Sequence, residues 1–221
     1  MSRLLPWLCL LGMVMLSGCT PPADDVIRMG LANAASNLDP RYATDATSTR
    51  VNRLLYARLV DFDERLLPVP ALAGWEQITD RHYRFRLKKD RAAFHDGTVL
   101  TARDVAATYR SILDPANGSP QRSALMLIER IEVLDGETLD FYIDRADPLF
   151  PGYLVIGILP EAGILAGHPF HEAPVGSGPF RFESWPEPGR VRLQRLRDGQ
   201  IIEFQRIADS TVRILKLLRG E

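Results

Sequence analysis

Four histidines, a Gly-Ser-Gly triplet, one acidic cluster and two cysteines are the positions at which this sequence could do chemistry. His168 and His171 flank Pro169-Phe170, and an i, i+3 histidine pair can hold a metal when helical. Pro169 argues against a helix there. Glu172 is near, but no cysteine or carboxylate cluster completes a ligand set, so a solvated loop is expected. Gly176-Ser177-Gly178 falls one residue short of the G-x-S-x-G nucleophile elbow, and Pro179 stands where a helix would have to begin. The triplet therefore reads as a turn into the next strand. Asp61, Asp63 and Glu64 could bind a cation, yet their spacing fits a loop equally well and is not that of an EF-hand. Phosphate loops and dinucleotide fingerprints are absent. No nucleophile, base and orienting group converge, so the residues predict no catalytic site, no metal and no cofactor. A non-enzymatic protein is expected.

The cysteines have a different use. Arg3 precedes an apolar run from Leu4 to Leu16, broken only by Pro6 and Gly12, and Leu16-Ser17-Gly18-Cys19 follows. A charged start, a short apolar stretch and small residues describe a secretory signal. The last four residues resemble the lipobox of bacterial lipoproteins, in which the cysteine is acylated and becomes the new N-terminus. The expected division is a signal peptide over 1–18, a lipidated tether over 19–25 and one domain over 26–221. An uncleaved signal anchor is the alternative, but the run is shorter than the ~20 residues that span a bilayer. Cys9 would leave with the signal and Cys19 would carry lipid, so no thiol remains for a disulfide or catalysis. The expected location is outside the cell membrane, held to it by lipid and facing the periplasm or the exterior.

Composition sets the outer bounds. The 221 residues carry 27 Lys plus Arg against 28 Asp plus Glu, with 46% hydrophobic and 25% charged residues. This is ordinary globular usage, which excludes a disordered or collagen-like chain. A net charge of -1 gives no global attraction to nucleic acid, and losing Arg3 makes it only -2.

The elements that must position any site read as α+β, with strands dominating. Val26 to Leu31 is a strand, followed by the polar run Asn33 to Asn37 and a turn at Leu38-Asp39-Pro40. Val51, Leu54, Leu55, Arg58 and Leu59 repeat at helix spacing, with Thr47 or Ser48 as the N-cap. Trp75 and Ile78, then Tyr83, Phe85 and Leu87, predict two strands turning at Thr79-Asp80. In the second strand the apolar residues point inward and Arg84 and Arg86 outward, so truncating Arg84 should cost little. Thr101 and Asp104 open a helix that Asp114-Pro115 stops. Ile131 and Val133 face Leu139, Phe141 and Ile143 in a hairpin turning at Asp135-Gly136. Asp147 to Gly167 suggests a short helix and a buried strand. Strands at Phe180 to Ser184, Val191 to Leu196 and Ile201 to Ile207 precede a helix capped by Ser210, with Val212, Leu215 and Leu218 on one face.

Three segments carry a resemblance. They are Ala71-Leu72-Ala73-Gly74-Trp75-Glu76, then Tyr83-Arg84-Phe85-Arg86-Leu87-Lys88, then Phe94-His95-Asp96-Gly97-Thr98 through Val105. Together they resemble the signature of the family 5 extracellular solute-binding proteins, the peptide-, dipeptide- and nickel-type receptors of ABC importers. Leu38-Asp39-Pro40, Leu54 to Val60, Pro174 to Phe182 and Asp209 to Glu221 extend the likeness in the same order. The same residues have a plainer reading beside it: Tyr83, Phe85, Leu87 and Phe94 as sheet core, and Asp96-Gly97 as a turn.

The resemblance implies an α+β, periplasmic-binding-protein-like first lobe of type II, a mixed sheet with flanking helices and an incomplete second lobe. It implies a substrate-binding lipoprotein whose ligand is a small peptide or related solute and whose partners are an ABC permease and ATPase. In such receptors backbone just before the Leu-Asp-Pro turn lines the cleft between lobes, which carries over to Asn33, Ala34, Ala35 and Ser36. Family members are much longer, and Arg197 to Gln200 lacks their aromatic Tyr-Trp pair, so the chain looks like the N-terminal part of a receptor. A structural or interaction lipoprotein on the same scaffold, without solute binding, is the alternative.

Overall fold

A computed structural model describes residues 25–220; the signal, Cys19 and most of the tether lie outside the described residues. In chain order the elements are β1 (Val26–Leu31), α1 (Ala46–Leu55), β2 (Val60–Phe62), β3 (Pro68–Pro70), β4 (Ala73–Thr79), β5 (His82–Leu87) and α2 (Ala102–Leu113). Then come α3 (Arg122–Leu125), β6 (Ile128–Val133), β7 (Thr138–Ile143), α4 (Glu161–Leu165), β8 (Phe180–Ser184), β9 (Arg190–Arg195), β10 (Ile201–Arg206) and α5 (Ser210–Leu218).

Two four-stranded sheets organise them. The first runs β1-β10-β9-β8 and is mixed, with β1 parallel to β10 and the other neighbours antiparallel. The second, β4-β5-β7-β6, is antiparallel throughout, and β2 and β3 form a small separate pair. Each sheet has its own helix. α1 lays Val51 and Leu55 against Val191, Leu193 and Phe204 of the first sheet. α2 lays Val105, Ala106, Tyr109 and Ile112 against Phe85, Leu139 and Phe141 of the second. The rings of Phe85 and Tyr109 each meet Phe141 edge-on, at 5.3 and 5.6 Å.

Local signals formed where expected over β4 to α2 and in the β6–β7 hairpin. Thr101 and Asp104 make the expected capping box, the Asp104 carboxylate accepting from Thr101 N at 2.7 Å. Four expectations need correction. Asp45, not Thr47 or Ser48, caps α1, its Oδ1 accepting from Ser48 N at 2.8 Å. That helix stops at Leu55 rather than running to Leu59, because Gly178 N–H takes the Leu55 carbonyl at 2.8 Å and Tyr56 turns extended. Asp209, not Ser210, caps α5. The buried strand expected between Asp147 and Gly167 is not formed. A 3-10 turn at Phe150–Tyr153 leads into an extended run that makes one bridge, Gly157 to Arg58, before α4. Leu154, Ile158 and Leu159 are buried there all the same.

Arg84 also differs from the outward, dispensable side chain expected. It donates through Nε and Nη2 to both oxygens of Asp140, each at 2.8 Å, and holds that carboxyl below the usual carboxylate range. His82 closes the same cluster at 2.9 Å from Asp140.

Candidate functional site

The segment after β1 is built by what anchors it. Ser48 on α1 accepts from the backbone N–H of both Ser36 (2.8 Å) and Asn37 (3.0 Å), and Ser36 donates from its hydroxyl to Asp45 at 2.6 Å. Thr47 donates to the Asn33 carbonyl at 3.2 Å. A Cβ added at Gly189, in the β8–β9 turn at φ +80°, would stand 3.5 Å from the Ala34 methyl group. The four positions expected at a cleft thus sit together between the N-terminal turn of α1 and one hairpin tip. Ala34 and Ala35 are half-buried, Asn33 and Ser36 exposed. The backbone N–H and C=O groups of Ala34 and Ala35 have no partner among the described residues. A short row of unpaired main-chain groups can accept an extended polypeptide.

At the other end of α1 lies the seam between the sheets, and Gly176-Ser177-Gly178 fills it. A Cβ at Gly176 would stand 2.0 Å from the Leu55 carbonyl oxygen, and one at Gly178 2.3 Å from that of Leu54. Both glycines are required by close approach of backbone to the end of α1. On the other side His95 N–H donates to the Gly176 carbonyl at 2.7 Å. The Gly178 carbonyl, at 3.0 Å from His95 Nε2, can only accept, so Nε2 carries the proton and Nδ1 accepts from Gly176 N–H at 3.4 Å. The neutral imidazole therefore ties the second sheet's loop to the first sheet. This role was hidden in the sequence, where the triplet reads as a simple turn.

Burial lowers the His95 pKa below its ordinary value, more than the Gly178 hydrogen bond restores it. A histidine with a depressed folded pKa contributes stability that is complete above the unfolded value. That stability is lost as pH falls through the unfolded value toward the folded one. The midpoint of a urea melt is therefore expected to drop between pH 7.5 and 5.5, and to drop less in His95→Gln. Equal slopes in parent and variant would show that the imidazole is not the titrating clamp.

The remaining chemical candidates do not converge. His168 Nε2 bonds the Ala173 carbonyl at 2.7 Å beside the Phe170 ring, while His171 is exposed next to Glu172. Asp61 pairs with Arg53 and Arg58, and Asp63 accepts from the backbone of Arg65 and Leu67 to close a turn. Among the described residues no group of three His, Cys, Asp or Glu gathers to hold a metal.

Two helix-backed sheets therefore meet at a glycine-packed seam, and the main-chain groups of Ala34 and Ala35 are left unpaired among the described residues. Residues 66–221 match the bacterial extracellular solute-binding proteins, family 5 Middle, and the chain belongs to that family. It is 27% identical over 199 residues to the oligopeptide-binding protein AppA of Bacillus subtilis, covering 81% of this chain and 36% of that protein. The structure of AppA with a nonapeptide superposes with a TM-score of 0.81 over 88% of this chain and 42% of that one, at 24% identity. The glutathione-binding protein GsiB of Escherichia coli K12 is 24% identical over 220 residues, 94% of this chain and 43% of GsiB. A solute-binding protein in complex with agropinic acid, AgaA from A. tumefacien R10, is 27% identical, with a TM-score of 0.80 over 88% of this chain and 42% of that one. The chain thus spans about two-fifths of the length of these relatives.

Proposed function

We propose that this chain is the N-terminal, cleft-facing portion of a peptide receptor for an ABC importer, working with a permease and ATPase and held at the membrane by lipid on Cys19. In this reading 1–18 is the signal, 19–25 the tether and 26–221 the receptor domain. The observation that carries it is the segment Asn33 to Ser36, anchored by α1 yet with the main-chain groups of Ala34 and Ala35 unpaired. Kinship with AppA, whose structure holds a nonapeptide, supports peptides as the ligand class.

One wall holds little. Each main-chain hydrogen bond contributes about 0.5–1.5 kcal/mol net, against an association cost of at least ~4 kcal/mol. The 221-residue chain alone is therefore expected to give no calorimetric signal with di- to pentapeptides. A chimera carrying the remaining portion of AppA should bind them, and Ala35→Pro in that chimera, which deletes one donor, should weaken binding about tenfold. A chimera that folds and binds no peptide would favour the alternative, a non-transport lipoprotein on the same scaffold. The anchor is tested apart: radiolabelled palmitate should enter the parent and not Cys19→Ala, and label in both would remove the lipid reading.

A further inference from the structure

The β2–β3 hairpin departs from two rules at one residue. Leu66 sits at its tip with φ +61°, the left-handed region that glycine takes at low cost, and among the described residues it is the one non-glycine there. Its side chain is 78% exposed, and that of Leu67 beside it 55%. The turn carrying Leu149, also exposed, packs against the same hairpin, since a Cβ at Gly152 would stand 3.5 Å from Pro68. The charges at the tip are occupied or balanced. Asp63 accepts from the N–H groups of Arg65 and Leu67, and the exposed side chains of Glu64 and Arg65 offset one another. The tip is therefore a convex apolar knob without excess charge. Strained residues persist where function holds them, and clustered exposed apolar groups mark contact surfaces.

Where the chain enters the fold says what that surface meets. In the first sheet Val26 pairs with Ile201, Ile201 with Gln194 and Phe180 with Arg195, so the starts of β1 and β8 lie at one end. α1 ends there too, because the Leu55 carbonyl accepts from Gly178 N–H just before β8. The hairpin follows that end of α1, and the tether enters β1 from the same side. Fully extended, the stretch from 19 to 25 reaches at most ~24 Å, so lipid on Cys19 would keep this end of the sheet near the bilayer. We infer that Leu66, Leu67 and Leu149 enter the lipid interface of the membrane that holds the chain, an inference that rests on the Cys19 anchor reading. A lipid anchor tethers without orienting, and a second, apolar contact fixes how the lobe stands. A knob without excess charge matches zwitterionic lipid, which needs no socket shaped to receive it.

The test uses the full chain, purified from membranes and reconstituted in phosphatidylcholine vesicles. An NBD fluorophore is placed on Arg65→Cys at the tip or on Glu129→Cys, an exposed position on the outer strand of the second sheet. Blue-shifted emission and at least twofold quenching by lipid spin-labelled high in its acyl chain are expected at position 65 and not at 129. Leu66→Gly should cut that quenching at least twofold without lowering the urea midpoint, because glycine accepts the left-handed backbone. A leucine that only packed within its own loop would lower the midpoint instead. Adding phosphatidylglycerol should change little, and insertion that requires it would overturn the apolar contact. Protein that fails to float with the vesicles would remove the anchor, and this inference with it. Protein that floats while the label at 65 stays in water would overturn the inference alone and assign the leucines to a protein partner.

Discussion

Gly176→Ala is expected to destabilise the protein by roughly 3 kcal/mol or more, at the upper end of what overpacking costs. The added methyl group would meet the Leu55 carbonyl oxygen at 2.0 Å and the Tyr56 ring at 2.9 Å. The buried Tyr56 ring is held by its hydroxyl's bond to the Leu38 carbonyl, and the Leu55 carbonyl is fixed by the end of α1 and by its bond to Gly178 N–H. Relief needs the triplet to move off the end of α1, which breaks the Gly178 N–H bond to the Leu55 carbonyl and disturbs the two hydrogen bonds that the triplet makes with the His95 ring. A urea melt gives the size of the loss. Gly136→Ala is the control, since a Cβ there meets nothing within 4 Å. Equal midpoints for the two variants would show that the seam is looser than drawn.

Phe85→Ala is expected to cost about 3–5 kcal/mol, the range for emptying a fully buried aromatic site. Phe85 has 0% exposure and sits between the Trp75 and Phe141 rings at the middle of the second sheet. Its neighbour Arg84 is a different case. Removing that guanidinium leaves the carboxylate of Asp140, itself buried, facing the His82 ring at 2.9 Å. Arg84→Ala should therefore lower the midpoint measurably, by less than Phe85→Ala but by more than Arg86→Ala. A loss from Arg84→Ala no larger than from Arg86→Ala would mean that the Asp140 pair contributes nothing.

What could be read from the sequence was what depends on near neighbours. The alternation of Tyr83, Phe85 and Leu87, the Thr101–Asp104 capping box and the Asp135-Gly136 turn each fit within a few residues, and each formed as expected. The cap of α1 was misplaced because Ser48, a good capping residue by type, spends its hydroxyl on the N–H groups of Ser36 and Asn37. That use is tertiary and leaves no local mark. The seam was invisible for the same reason: His95 and Gly178 are 83 residues apart, and nothing in Gly-Ser-Gly says which backbone it will touch. The placement of Asn33 to Ser36 came from family likeness and not from the residues, which look like any polar loop.

The parallel pairing of β1 with β10 has a kinetic consequence. The second sheet is drawn from one continuous stretch, residues 73–143; β4–β5 and β6–β7 close short turns, and β5 meets β7 across the segment that carries α2. The first sheet joins Val26 to Ile201, across the same span that separates the Asp25–Gln200 contact, 175 residues. Loop-closure entropy and the slow search for distant contacts place that event last. Strand β1 therefore stays unpaired until residues 201–206 have been made and have reached it.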